Sequence, residues 1–262
     1  MTLIQKIIKY SAIAFGVFII VSVCLGIVSI FNIPKDISKN ELKTVELLDG
    51  NVSELSLNLE GMNLIVETGE ALSVQTNNDK LNVRQTGERI VFTEQSKLFQ
   101  RTVNGTLKIS LPADTVLSLV EIDIGAGSIN IQKLTAKKIN FDLGAGKVQI
   151  DELYVQTSAE IECGAGEFSL EKGEIHNLDM DLGVGKTTLK ANVFGNSEMN
   201  CGVGELNVYL TKKSDYQIDL NKGIGSIKVN GKECNDFGVG GGVNKISIDG
   251  GVGAINLYFD EE

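Results

Sequence analysis

A spaced pair of glycines recurs along this chain and constrains its fold more than any other feature. Gly-x-Gly begins at Gly125, Gly144, Gly164, Gly183, Gly202 and Gly223, in steps of 19, 20, 19, 19 and 21 residues, with the second glycines at Gly127, Gly146, Gly166, Gly185, Gly204 and Gly225. A fixed period of this length marks one structural unit repeated in series. Another pair, Gly251 and Gly253, follows 28 residues after Gly223, as though one step had gained extra residues around Cys234 and the Gly238–Gly242 cluster; that insertion is expected to protrude as a loop. Each unit reads apolar-acid-apolar-Gly-x-Gly-x-apolar-x-apolar, as in Ile122-Asp123-Ile124-Gly125-Ala126-Gly127-Ser128-Ile129-Asn130-Ile131. Alternation with period two is the signature of strands.

Aligned on the glycines, the units form columns. Ile124, Leu143, Cys163, Leu182 and Cys201 precede the first glycine. Ala126, Ala145, Ala165, Val184, Val203, Ile224 and Val252 stand between the two glycines, and Ile131, Ile150, Leu170, Leu189, Val208, Val229 and Leu257 come later. Columns of like residues are what a β-solenoid requires, because each coil lies about 4.8 Å from the last and buries its inner residues in stacked rows. The expected fold is therefore all-β: a single-stranded β-solenoid, or β-helix, of 19–20 residues per coil, with the glycines forming one structural corner. No helical period separates the strands, which excludes Rossmann and TIM-barrel readings.

The outward positions test this register. After the second glycine come Ser128, Lys147, Glu167, Lys186, Glu205 and Ser226, so unlike charges would neighbour one another on successive coils. Asp123, Asp142, Glu162, Asp181 and Asn200 instead make a nearly uniform acidic row, expected to be solvated or hydrogen-bonded. A Ca²⁺ ladder is the competing reading, and the Gly-Gly-x-Gly-x-Asp nonapeptide it would call for is missing.

Ahead of the repeat, Ser11 to Phe31 is an uncharged run of 21 residues, long enough as a helix to span about 30 Å of hydrocarbon. Lys6 and Lys9 precede it, which orients a short N-terminus, residues 1–10, to the cytoplasm and the remainder to the outside. A cleaved signal peptide competes, but its apolar core is shorter and ends at a small-x-small site that this run lacks. Ser22 and Gly26 share one face of the helix and are candidate contacts for another membrane helix, while Cys24 reads as a buried membrane cysteine. A linker over 32–44 then leads to an ectodomain over 45–262, with less regular lead-in coils over 45–120 and regular coils over 121–259. Asp260, Glu261 and Glu262 would guard the edge of a last strand.

Charge and composition narrow the chemistry. The 24 basic and 34 acidic residues give a net charge of −10, and since only Lys6, Lys9 and Lys35 precede Asp36, residues 36–262 carry 21 basic against 34 acidic residues, or −13. Such a surface repels nucleic acid. His176 is the only histidine, so a histidine-based active site has one candidate. Gly183-Val184-Gly185-Lys186-Thr187-Thr188 imitates a phosphate-binding loop, but Met180 stands where the leading glycine belongs and no helical pattern follows, so no nucleotide is expected. Cys163 and Cys201 fall in one column two coils apart, too far for a disulfide, and neither a metal nor a cofactor is expected. A polysaccharide-active β-helix enzyme would use clustered carboxylates, and Asp142, Glu162 and Asp181 supply acids without a distinguished pair. No catalytic residue is assigned.

The lead-in strands, then Leu107-Lys108-Ile109-Ser110-Leu111-Pro112, then Val120-Glu121-Ile122-Asp123-Ile124-Gly125-Ala126-Gly127 and the repeated Gly-Ala-Gly units, together resemble the bacterial "putative adhesin" domain family over residues 45–259. That resemblance implies a β-helix-like envelope module, right-handed, often behind one membrane helix and in some Gram-positive members linked to envelope-stress control. It carries over no catalytic residues. The expected function is a non-enzymatic, membrane-anchored cell-surface scaffold or binding module whose partner is an envelope protein or cell-wall polymer. An accessory regulatory subunit acting through a membrane partner is the alternative, and a polysaccharide-active enzyme the minor one.

Overall fold

Residues 41–47, 52–95, 105–211, 215–221, 223–234 and 237–260 are described by a computed structural model. The apolar segment over 11–31, with Ser22, Cys24 and Gly26, lies outside the described residues. The strands are β1 (Lys43–Thr44), β2 (Glu54–Gly61), β3 (Asn63–Gly69), β4 (Ser73–Thr76), β5 (Leu81–Thr86), β6 (Arg89–Glu94), β7 (Thr106–Pro112) and β8 (Leu117–His176). They continue with β9 (Leu178–Lys190), β10 (Asn192–Phe194), β11 (Asn196–Leu210), β12 (Tyr216–Asn221), β13 (Ile224–Val229), β14 (Lys232–Cys234), β15 (Phe237–Val239) and β16 (Asn244–Phe259). All sixteen belong to one hydrogen-bonded sheet, and the architecture is an all-β, solenoid-like stack. The 60-residue β8 is a single extended run that passes the glycine corner three times, at Gly125, Gly144 and Gly164.

Successive coils pair in parallel and in register. Cys163 neighbours Leu182, which neighbours Cys201, and Gly166 neighbours Gly185, which neighbours Gly204. The inner residues consequently stack: Ile161, Met180, Met199, Ile248 and Leu220 form one buried column across five coils. Ile131, Ile150, Leu170, Leu189, Val208 and Leu257 are buried as well. Each such side chain removed from water contributes about 1.5–3 kcal/mol, so the columns supply the main driving force. The column between the glycines is different. Ala126, Ala145, Ala165, Val184 and Val203 are only half-buried, while Val252 and Ile224 are 47% and 75% exposed, because that position sits on the corner itself.

At the corner, backbone packs on backbone. A Cβ on Gly144 would run into the Gly125 carbonyl oxygen, and one on Gly146 into that of Gly127. At the first coil of β8 the same contact is made to the Glu60 carbonyl, 2.8 Å from a Cβ built on Gly125. A second turn of the coil is stitched by side chains: Asn177, at φ 49°, accepts a hydrogen bond from the Asn196 amide (3.1 Å) and donates to the Thr157 carbonyl (2.8 Å).

The order of coils in space departs from the order in sequence at both ends. β16 pairs with β11 on one side and with β12 and β13 on the other, so the Gly251 corner lies between those of Gly202 and Gly223. The expectation that Gly251 simply follows Gly223 after a protruding loop is thus corrected. The intervening residues fold back as β14 on β13 and β15 on β12, both antiparallel, with Asn230-Gly231 at φ 47° and 77° making the tight hairpin turn. Nor is β16 an edge strand, so Asp260 does not guard an edge. The same inversion occurs at the start: β2 and β3 lie between β8 and the later strands β6 and β7, and β5 and β4 cover β6 and β7 antiparallel. A coil with one face in the stack has its other edge open, and these antiparallel strands cover it.

Two glycine substitutions separate corner packing from a general glycine effect. Gly146→Ala is expected to cost about 3 kcal/mol or more, because its Cβ meets unyielding backbone. Gly238→Ala, with open space around its Cβ position, should stay within about 0.5 kcal/mol of the parent in the same urea titration.

Candidate functional site

Strand alternation turns the residues on either side of each inner position outward, and stacking converts them into rows. The acidic row runs, in spatial order, Asn58, Asp123, Asp142, Glu162, Asp181, Asn200, Asp249 and Asn221. The sequence repeat shows its middle, from Asp123 to Asn200. Asn58, Asp249 and Asn221 join it only through the displaced terminal coils. Two residues earlier along each strand, Glu160, Asp179 and Glu198 form a second acidic row, which Ser247 separates from Asp219.

Asparagines relieve the acidic row where it is interrupted. Asn200 Nδ2 donates to Asp181 Oδ1 at 2.9 Å, and Asn221 Nδ2 to Asp249 Oδ1 at 3.0 Å. Asn58 Nδ2 reaches Asp123 Oδ2 at 3.5 Å. At Asp123 partial burial first, then the charges of Asp142 and Glu60, push the carboxyl above the usual aspartate value. Between this row and the glycine corner runs an open groove of about 570 Å³, lined by Asp142, Glu162, Asp181, Asn200 and Asp249 with the adjoining inner residues and glycines. A second groove of about 360 Å³ continues it past Asp123, Asn140, Glu160 and Glu121. Among the described residues no basic side chain lines either groove, although Arg89 pairs with Glu121 of the second at 2.8 Å. Among the described residues, no three His, Cys, Asp or Glu side chains stand together as a metal-binding group.

The neighbouring outward rows are neutralised internally. Lys147 pairs with Glu167 at 3.3 Å and Lys186 with Glu205 at 3.8 Å, while Ala254 enters the column between Glu205 and Ser226. Farther along each coil Lys190 binds Glu171 at 2.6 Å and lies 5.7 Å from the Tyr209 ring centroid, and Tyr209 stacks on Tyr258 at 4.5 Å. The Lys190 contact holds the Glu171 carboxyl below the usual range. These rows leave the acidic face as the place where outward charge is least compensated.

The remaining sequence candidates resolve into parts of the stack. Gly183, Gly185 and Lys186 belong to β9, with Gly185 packed on Gly166 and Thr187 buried beneath, so this segment is a coil and not a phosphate loop. Cys163 and Cys201 both neighbour Leu182 and are free thiols; burial, aided by the Asp142 charge, pushes Cys163 up to about 12. His176 stacks on Phe194 with ring centroids 4.9 Å apart. Sequence reasoning missed Glu94. Its 7% exposed carboxylate accepts hydrogen bonds from the amides of Glu60 and Gly61, both at 2.9 Å, and from Asn78 Nδ2 at 2.8 Å. It thereby ends the backbone stack at a corner where no further glycine coil follows.

The profile of the family described as Toastrack DUF4097 matches residues 43–252, from β1 into the last glycine corner. The chain belongs to that family. Similar solved structures include a "putative cell adhesion protein" of Clostridium sporogenes, 20% identical, covering 84% of this chain and 98% of that one at a TM-score of 0.36. A "putative adhesin" of Bacteroides fragilis is 13% identical, with 84% and 98% covered and a TM-score of 0.34. A "putative lipid binding protein" of Parabacteroides distasonis is 16% identical, with 84% and 97% covered and a TM-score of 0.36. No curated protein matches the sequence.

The two carboxyl shifts predict opposite pH effects. Asp123 is raised, so its ionisation costs the folded state stability above its folded value, and that cost disappears below the ordinary aspartate range. Asp123→Asn should raise the melting temperature at pH 7 and lose that advantage near pH 3. Glu171 is lowered, so Glu171→Gln should reduce the melting temperature at pH 7 and match the parent at pH 3.

Proposed function

We propose that this Toastrack protein is a non-enzymatic binding module of the bacterial cell surface, tethered by the apolar segment over 11–31 with its N-terminus in the cytoplasm. The observation that carries this reading is the outward acidic face: stacked rows of repeated rather than singular carboxylates beside two grooves that, among the described residues, no basic side chain lines, with Arg89 pairing Glu121 at the edge of the second. A hydrolase needs one pair of carboxylates held apart in environment, whereas a row of equivalent positions suits an extended ligand or a protein surface. Its negative charge favours a cationic partner, such as a basic stretch of an envelope protein or an amine-bearing wall polymer. Ser22 and Gly26 are the contacts this reading leaves for a second membrane protein.

Lys137 is exposed on the stack, so Lys137→Cys gives a reporter of sidedness. A membrane-impermeant maleimide should label it in intact cells, and labelling only after lysis would overturn the surface assignment. Crosslinked pull-down of the full chain, beside the same chain with an unrelated membrane helix, then identifies the partner. Capture of a wall polymer or surface protein by both is expected. Loss of all capture on helix substitution would instead assign the chain to a regulatory complex within the membrane.

A further inference from the structure

The last coil in sequence is not the last in space, and the route by which β16 reaches its place is crowded. β15 and β16 flank β12 on opposite sides, about 10 Å apart at the usual strand spacing, and residues 240–243 make the whole crossing. The crossing passes over the start of β12. A Cβ on Gly242 would overlap the Asp215 and Tyr216 backbone, and the Gly242 amide donates to the Tyr216 carbonyl at 3.3 Å. Val243, at the end of this hinge, is 88% exposed.

The slot that β16 occupies accepts one pattern of side chains, and two segments of this chain carry it. Residues 245–257 pair with both neighbouring coils, and residues 217–221 and 224–229 align with them one for one. Ile246, Ile248, Ile255 and Leu257 turn inward where Ile218, Leu220, Ile227 and Val229 do. What favours β16 in the slot lies in the positions that alternate with the apolar ones, one half-buried and one buried. Ser247 separates Glu198 from Asp219, and Asn256 Nδ2 donates to Asn207 Oδ1 at 2.9 Å. These contacts read the sequence of β16 and not the chain it belongs to.

We infer that β16 is an exchangeable strand: two copies of this chain associate by each placing its Asn244–Phe259 segment between β11 and β12–β13 of the other. This goes beyond the surface-binding reading: the partner is a second copy of the same chain, held through the β16 slot and not through the acidic face. Every contact of β16 is kept in the exchanged pair, so the cost is mainly that of association, while the four-residue hinge no longer has to double back over the start of β12. Anchoring both copies in one membrane raises their effective concentration and favours the pair further.

Asn200 and Asp249 are outward neighbours on β11 and β16, which makes the exchange visible. In a background with Cys24, Cys163, Cys201 and Cys234 replaced by alanine, differently tagged full-length copies carrying Asn200→Cys or Asp249→Cys are co-expressed and oxidised. A disulfide joining the two tags is expected. A double variant with both cysteines in one chain reports whether register survives the background, and a link there without one between tags overturns the exchange. Light scattering of the wild-type full chain in detergent decides the matter if that background does not fold. A dimer that shifts toward monomer when Gly-Ser-Gly is inserted after Gly241 is expected; a monomer throughout, or a dimer indifferent to the longer hinge, overturns it. Foreign capture in the pull-down without an intertag link would retire exchange and leave the surface reading, whereas labelling of Lys137→Cys only after lysis would retire the surface reading alone.

Discussion

Close approach of backbone to backbone at the glycine corner is the constraint on which the rest of this protein depends. Each coil can lie directly on the next only if nothing projects from the corner along the stack, and at Gly144 and Gly146 the carbonyl of the preceding coil occupies the space a Cβ would take. With the corner fixed, every position in a coil acquires a neighbour that faces the same way one strand spacing away. Buried columns, paired charges and the acidic rows all follow from that single alignment.

A stack built this way has two vulnerable places, its ends. Here each end is finished by the same device, a chain excursion that lays antiparallel strands over the outer coil and threads another coil inside it. At the first corner the Glu94 carboxylate takes the hydrogen bonds of the Glu60 and Gly61 amides. At the far end Ile224 stands 75% exposed on the last glycine corner, so the two ends are chemically unlike. The antiparallel strands laid over both outer coils discourage end-to-end growth of one stack on another, leaving lateral faces and strand exchange as routes to association.

The repeated rows also shape what function the surface can have. A coil-by-coil repeat gives every outward position several near-equivalent neighbours, which suits graded, multivalent contact better than the single polarised environment of a catalytic pair. In the compensated rows Lys147 pairs with Glu167 and Lys190 with Glu171, so the basic side chains there are met by acids of the neighbouring coil. The carboxylates from Asp142 to Asp249 face the groove, where Asn200 and Asn221 donate to Asp181 and Asp249.

The sequence by itself determined the strands, their period, the glycine corner and the register, because those depend on local alternation and on residue size at a repeated position. It also placed Asp123, Asp142, Glu162, Asp181 and Asn200 in one row, and Cys163 and Cys201 two coils apart, since equal steps along the chain become equal steps along the stack. Only the tertiary structure decided which coil lies beside which at the ends. The segments around Gly223 and Gly251 carry the same inward pattern, so periodicity cannot rank them, and the choice rests on cross-coil contacts such as Ser247 between Glu198 and Asp219. For the same reason Asp249 and Asn221 entered the acidic row, and Glu94 became a buried cap, through neighbours remote in sequence that no local pattern records.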